Sequence, residues 1–248
     1  MQRYFLLISY DGTAYQGWQI QQNAITVQGV VDQALGVLLK SEVETVGCGR
    51  TDTGVHAKRF YLHFDASDPI EDTTRFLHSL NAIMPIDIAA YELIPLHPEA
   101  HARFDATART YQYHVTSVKD PFSVNRSFFL PRNLDIGNMN SAAGLLKSHT
   151  EYGCFFKGRT DEHTTQCIVT HAEWKIEDGQ TVFTITANRF LRNMVRAIVG
   201  TLIEVGENDL DMDGFISILH SGDRSEAGKS VPAHGLYLND VRYPYISR

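Results

Sequence analysis

Twice along its 248 residues this chain spells the same order of elements, strand–helix–strand–strand–helix–strand, and that repeat limits its possible folds more than any single motif. In the first half, Tyr4–Ser9 is apolar on both faces and reads as a strand internal to a sheet. Asp11-Gly12-Thr13 breaks it. Thr26 is placed to cap a helix whose face carries Val27, Val30, Val31, Ala34, Leu35 and Leu38. Val43–Cys48 and Phe60–Phe64 read as strands. Asp72 caps a second helix from Thr73 to about Ala82, with Phe76, Leu77 and Leu80 inward and Pro85 stopping it, and Ile88–Ile94 is the next strand. This is the split βαβ order of ferredoxin-like domains.

The second half repeats the order with negligible sequence identity. Thr110–Thr116 alternates as a strand, with Tyr111, Tyr113 and Val115 on one face. A helix is expected near Asn138–Leu146. Val169–Ile176 and Val182–Ala187 form a hairpin signalled by Asp178-Gly179. Phe190–Val205 carries the strongest helical pattern, with Leu191, Met194, Val195, Ile198, Val199 and Leu202 at helical spacing and Gly206 ending it. A short helix near Phe215–Leu219 and a strand at Leu236–Val241 follow. The expected fold is α+β: two pseudo-symmetric β-α-β-β-α-β, ferredoxin-like halves, with helices on one side of a mixed, mainly antiparallel sheet and a central active-site cleft. Residues 1–103 form the N-terminal half and 104–248 the C-terminal half, with the boundary near 95–106.

Composition narrows the function classes. A chain this long and 43% hydrophobic can bury a real core. Its formal charge is −7, so no global basic signature of nucleic-acid binding exists, although a local basic groove can sit on an acidic body. Cys48, Cys154 and Cys167 are odd in number and far apart, which points to neither a disulfide framework nor a zinc site. No run approaches the roughly 18 apolar residues of a membrane helix, and Tyr4–Ile8 is too short for a signal sequence, so a cytoplasmic, non-membrane chain is expected.

Between the strands at Val43–Cys48 and Phe60–Phe64 lies Gly49-Arg50-Thr51-Asp52-Thr53-Gly54-Val55-His56-Ala57. Its two glycines permit a tight loop holding one carboxylate, one arginine and two threonine hydroxyls. Arg50, two positions from Asp52, can hold the carboxylate ionised, and an ionised carboxylate is a nucleophile or a base. An Asx-type turn with a surface ion pair is the plainer reading of the same residues. Asp52-Thr53-Gly54 spells the aspartic-protease triplet, but that chemistry needs a second copy and an apolar strand before it, and both are missing. There is no HExxH, no GxGxxG and no P-loop, and His97 and His101 straddle a proline, so no metal site is expected. On the Phe190 helix, Arg192 and Arg196 share a face. Arg192 reads as solvated. Arg196, flanked by Val195 and Ala197, is expected to meet a buried carboxylate, with Asp52 the candidate. Arg103, Phe104, Arg109, Tyr111 and Tyr113 interleave aromatic and basic groups, which suits nucleic acid and also suits an ordinary strand.

Tyr10-Asp11-Gly12-Thr13-Ala14-Tyr15-Gln16-Gly17-Trp18-Gln19, the Gly49–Ala57 loop, Ala108-Arg109-Thr110-Tyr111-Gln112-Tyr113, Phe190-Leu191-Arg192-Asn193-Met194-Val195-Arg196 and Pro232-Ala233-His234-Gly235-Leu236-Tyr237-Leu238 together resemble, in register, the successive motifs of the tRNA pseudouridine synthase A family. The resemblance implies isomerisation of uridine to pseudouridine in the anticodon stem-loop of tRNA, by a homodimer with no cofactor and no metal. It implies that Asp52 is the catalytic aspartate and that Tyr111 stacks with the target base. It also implies that Arg196 is the basic residue paired with the aspartate, with Arg50 beside it. Thr53 stands where the family often has alanine, and Tyr152-Gly153-Cys154-Phe155-Phe156 replaces a segment usually closer to Asp-Phe-Ser-Ser-Phe. A catalytically inactive tRNA-binding chaperone of the same fold is the alternative, and turnover separates the two.

Overall fold

The structure, a computed structural model, describes residues 1–158 and 164–246. In chain order the strands are β1 (Gln2–Tyr10), β2 (Val46–Gly47), β3 (His56–Ala66), β4 (Ile88–Leu96), β5 (Ala108–Thr116), β6 (Phe128–Phe129), β7 (Val169–Glu177), β8 (Gln180–Ala187) and β9 (Leu236–Arg242). The helices are α1 (Val27–Leu39), α2 (Thr73–Ile83), α3 (Ile136–Leu145), α4 (Met194–Gly206) and α5 (Met212–Ser221). The architecture is mixed α+β and mostly antiparallel. Two compact units divide it, one made of residues 1–107 with 237–248 and the other of residues 108–236.

In the first unit β1 has strands on both sides. It runs antiparallel to β3, from Gln2 opposite Ala66 to Tyr10 opposite Ala57, and antiparallel to β4. Tyr4 through Ile8 are therefore all buried, which explains the continuous apolar run. β2 adds antiparallel to β3, while β9 adds parallel, His56 facing Tyr237 and Ala57 facing Leu238. Helix α1 opens where the Thr26 hydroxyl accepts from the Gly29 amide at 3.3 Å, and α2 opens on Asp72, which accepts from the Arg75 amide at 2.8 Å. Each such cap is worth about 1 kcal/mol.

Two segments of this unit differ from the sequence expectation. The strand expected over Val43–Cys48 shrinks to Val46–Gly47. The reason lies at Thr45, whose amide donates to Asp32 Oδ1 (3.2 Å) and whose carbonyl accepts from Gln28 Nε2 (2.7 Å). Side chains of α1 thus satisfy the peptide groups that a ladder would have used. The strand expected over Phe60–Phe64 is longer, because His56 and Ala57 pair with β9 and take the end of the Gly49–Ala57 loop into β3.

In the second unit β5 pairs antiparallel with β8, and β8 with β7, giving the order β5-β8-β7, with β6 parallel to the end of β5. Asp178 (φ 48°) and Gly179 (φ 77°) make the tight hairpin turn between β7 and β8. Helix α4 buries Met194, Val195, Ile198, Val199 and Leu202, each apolar side chain contributing about 1.5–3 kcal/mol. Its start corrects the expectation of a helix from Phe190. Asn193 has φ 65°, a left-handed backbone that a right-handed helix cannot pass through, so α4 begins at Met194. Arg192 consequently lies on the preceding turn, exposed, with its carbonyl accepting from the Lys157 amide at 3.2 Å, and it shares no helix face with Arg196.

Candidate active site

Asp52 sits at a corner built from two distant stretches of the first unit. Its carbonyl accepts from the Val55 amide at 3.1 Å, closing a tight turn over Asp52-Thr53-Gly54-Val55, with Gly54 at φ 76°. On the preceding side the Thr51 carbonyl accepts from the Trp18 amide at 3.2 Å, and the Thr51 and Tyr10 hydroxyls share a 2.8 Å hydrogen bond. On the following side the Gly54 amide donates to the Tyr15 carbonyl at 3.3 Å. The segment Tyr10–Trp18 therefore holds the backbone on both sides of Asp52. Gly17 is needed for this. Its φ is 83°, and a β-carbon there would stand 2.4 Å from the Thr51 carbonyl oxygen. Asp52 itself is half-buried, Thr51 is buried and Arg50 is exposed.

Sequence reasoning gave no task to His56. In the structure its Nδ1 accepts from the Gly12 amide at 3.0 Å and its ring stacks on Tyr237 with centroids 4.6 Å apart, so it ties the Asp11-Gly12 turn to the base of the loop. Trp18 packs on Phe60 at 4.2 Å from the other side. Tyr15 donates to Asp87 Oδ1 at 2.6 Å, and burial, aided by that carboxylate, keeps the phenol protonated.

The second unit carries the other two candidates. Tyr111 is half-buried in β5, opposite Ile185 of β8, and the Phe190 ring meets it edge-on at 5.2 Å. The Tyr111 ring is thus steadied by an aromatic neighbour. Arg196 is half-buried in the first turn of α4, and its Nε donates to the Val231 carbonyl at 2.8 Å. Tyr113, on the same face of β5 as Tyr111, donates to the Pro232 carbonyl at 2.9 Å. Burial raises its pKa, against the pull of the Arg196 charge, so it remains a donor. The Tyr152–Phe156 segment folds as a single 3-10 turn at Gly153–Phe155, with Tyr152, Cys154 and Phe155 buried. Its residues pack the interior. Among the described residues no group of three or more His, Cys, Asp and Glu side chains is placed to hold a metal ion, and no helix is long and apolar enough to cross a membrane.

Residues 142–244 match the family model described as tRNA pseudouridine synthase. Proteins named tRNA pseudouridine synthase A align along nearly the whole chain. The one from Parabacteroides distasonis is 50% identical over 244 residues, covering 98% of this chain and 97% of its own. That from Bacteroides fragilis is 47% identical, again covering 98% and 97%. The more distant one from Caldicellulosiruptor bescii is 36% identical, covering 98% of this chain and 100% of its own. The chain belongs to the tRNA pseudouridine synthase A family.

Proposed function

We propose that this chain isomerises uridine to pseudouridine in the anticodon stem-loop of tRNA, with Asp52 as the nucleophile. The observation that carries the reading is the placement of Asp52. Its neighbours are held on both sides, Thr51 by the Trp18 amide and the Tyr10 hydroxyl and Gly54 by the Tyr15 carbonyl, while Asp52 itself stays half-exposed on a loop. A fixed carboxylate with access to solvent can attack without prior rearrangement. The full-length likeness to proteins named for this reaction supplies the substrate class.

The reaction breaks the N1–C1′ bond of uridine and makes a C5–C1′ bond, with the C5 proton leaving and a proton arriving at N1. No atom is gained and none is oxidised, so the residues must supply a nucleophile and a surface for the detached base. Asp52 adds to C6 of the base or to C1′ of the sugar. The target base leaves its stack at a cost of a few kcal/mol. Tyr111 replaces the lost stacking, worth about 1–3 kcal/mol. Arg196 and Arg50 supply positive charge toward the substrate, and phosphate contacts by basic groups supply most of the affinity.

The proposal extends to a homodimer working in the cytoplasm. Residues 1–103 carry the aspartate loop, and residues 104–248 carry the tyrosine strand and the arginine helix. Two pseudo-symmetric ferredoxin-like halves are supported by the antiparallel orders β1-β3-β2 and β5-β8-β7, which repeat one pattern. Release of tritium from C5-labelled uridine in tRNA by the purified protein tests the activity. Binding without release would leave a tRNA chaperone of the same fold.

A further inference from the structure

The segment Arg224–Pro232 lies along α4 as a strap, with Ser230 and Val231 at the start of the helix and Lys229 and Gly228 one turn further on. Nearest the N-terminus, Ser230 Oγ accepts from Asn193 Nδ2 at 2.6 Å. The Val231 amide donates to the Arg196 carbonyl at 3.2 Å, and Arg196 Nε returns a bond to the Val231 carbonyl at 2.8 Å. One turn on, the Lys229 carbonyl lies so close that a β-carbon at Gly200 would stand 1.8 Å from its oxygen. Next, the Gly228 amide donates to Thr201 Oγ1 at 2.9 Å. The strap ends at Pro232, whose carbonyl accepts from the Tyr113 hydroxyl of β5 at 2.9 Å.

The elements that carry two residues of the proposed chemistry meet in this device. Arg196 is gripped by Val231, and Tyr113 stands two positions from Tyr111 on one face of β5, so the strap sets the helix of Arg196 against the strand of Tyr111. Ser230 is its hub, because the same hydroxyl oxygen also accepts from Arg224 Nη2 at 2.9 Å. Arg224 Nη1 donates to the Ala227 carbonyl at 3.0 Å, closing the strap on itself. Arg224 Nε is buried without a partner among the described residues, a cost that packing alone does not explain. Asn193 is itself the left-handed residue before Met194, and its carbonyl accepts from the Ala197 amide at 3.1 Å, so the bond to Ser230 fixes where the first turn of α4 begins.

We propose that Ser230, joined to Asn193 and Arg224, is a positioning residue for the isomerisation that acts through Arg196. The inference rests on the functional reading above. Ser230→Ala keeps the strap's packing and leaves two donors without their acceptor, so Arg196 loses its fixed place. Misplacement of a reacting group by about 1 Å costs on the order of 100-fold.

The test measures tritium release from C5-labelled tRNA by wild type, Ser230→Ala, Ser230→Thr, Asn193→Gly, Arg196→Lys and the Ser230→Ala/Arg196→Lys pair, with a melting curve for each. Glycine keeps the left-handed backbone at position 193 and removes only the side-chain bond. Expected are falls in kcat of about 10–100-fold for Ser230→Ala and Asn193→Gly. KM should be nearly unchanged, the melting temperature should move by less than about 4 °C, and Ser230→Thr should recover most of the turnover. In the Arg196→Lys background, Ser230→Ala should cost little more. Normal kcat in both Ser230→Ala and Asn193→Gly would overturn the positioning role, as would losses that multiply with Arg196→Lys. A wild-type protein with no turnover would overturn the functional reading and this role with it, whereas wild-type turnover with silent variants would overturn this role alone.

Discussion

The Trp18 amide donates to the Thr51 carbonyl at 3.2 Å, so a peptide group 33 positions earlier in the chain fixes the residue immediately before Asp52. The contact has no side-chain chemistry of its own. It depends on Gly17, the one residue type that lets the two backbones come this close.

Gly17→Ala should accordingly damage both stability and catalysis. The added β-carbon meets the Thr51 carbonyl, and the φ of 83° is disfavoured for alanine, at a cost of about 1–3 kcal/mol. Urea midpoints should fall and kcat should drop far more than KM rises. A variant with full kcat would mean that the Asp52 corner does not rely on this approach.

Asp52→Asn keeps the turn, whose hydrogen bonds are made by the backbone, and removes charge and nucleophile. No pseudouridine should form, while tRNA binding measured by filter retention is kept, because phosphate contacts dominate affinity. Turnover by the purified variant above a contamination control would remove Asp52 from the role of nucleophile.

Tyr111→Phe retains the ring and its edge-on contact with Phe190. It should still trap 5-fluorouridine tRNA as an adduct yet release little pseudouridine if the hydroxyl moves the C5 proton, a contribution of about 10²–10⁴-fold. Tyr111→Leu should fail at both steps. Wild-type turnover in the Phe variant leaves stacking as the only role, and wild-type turnover in the Leu variant makes Tyr111 a packing residue.

Arg196→Met should abolish most turnover. It also leaves the buried Val231 carbonyl without its side-chain donor, for a stability loss of about 1–3 kcal/mol by chemical denaturation. Near-normal turnover would place the catalytic charge elsewhere.

Stability against pH should reveal two groups that oppose each other, the half-buried Asp32 and the buried His63. Burial, with the Glu44 charge, pushes Asp32 up from 3.8 to about 6 although Thr45 hydrogen bonds pull the other way. Its protonated form is favoured in the native state, so its contribution falls as pH rises from about 4 to 6. Burial, then the charges of Arg3 and His101, pulls His63 from 6.5 to about 4, against Asp65 and Asp105. The native state favours its neutral form, whose Nδ1 accepts from the Ala102 amide at 3.0 Å, so its contribution is lost as pH falls from 6.5 to 4. Asp32→Asn should make the protein more acid-sensitive than wild type across this window, and His63→Asn less so. Parallel wild-type and variant curves at pH 4.5 and pH 7 would refute the assignment.

Much of this was legible in the residues. Periodicity located β1, α1, α2, the β7–β8 hairpin and the apolar face of α4, because each depends on local pattern and a local cap. Two features were not legible. Thr45 lies in a run that reads as strand, and only the tertiary approach of Gln28 and Asp32 diverts its peptide groups. Asn193 sits inside a helical pattern, and nothing local announces that its side chain will find Ser230, 37 positions away, and hold a left-handed backbone. For the proposed chemistry, the motifs singled out Asp52 in one unit and Tyr111 and Arg196 in the other as candidates. The groups that pin them, Trp18, His56 and the Arg224–Pro232 strap, act through backbone atoms or long-range polar bonds, which carry no periodic signal.

The short parallel pairing of β9 with β3 has a consequence for the order in which the protein can be assembled on the ribosome. Residues 108–236 are one continuous stretch, and that unit has all its chain before residues 237–248 are made. The other unit does not. Its β3 edge at His56 and Ala57 waits for Tyr237 and Leu238, and Phe5 and Tyr61 wait for the Tyr243 ring, whose hydroxyl also binds the Ala102 carbonyl. The half synthesised first is therefore the half completed last, and through translation it presents an open strand edge and a gap beside its aromatic core that a nascent-chain chaperone would have to cover.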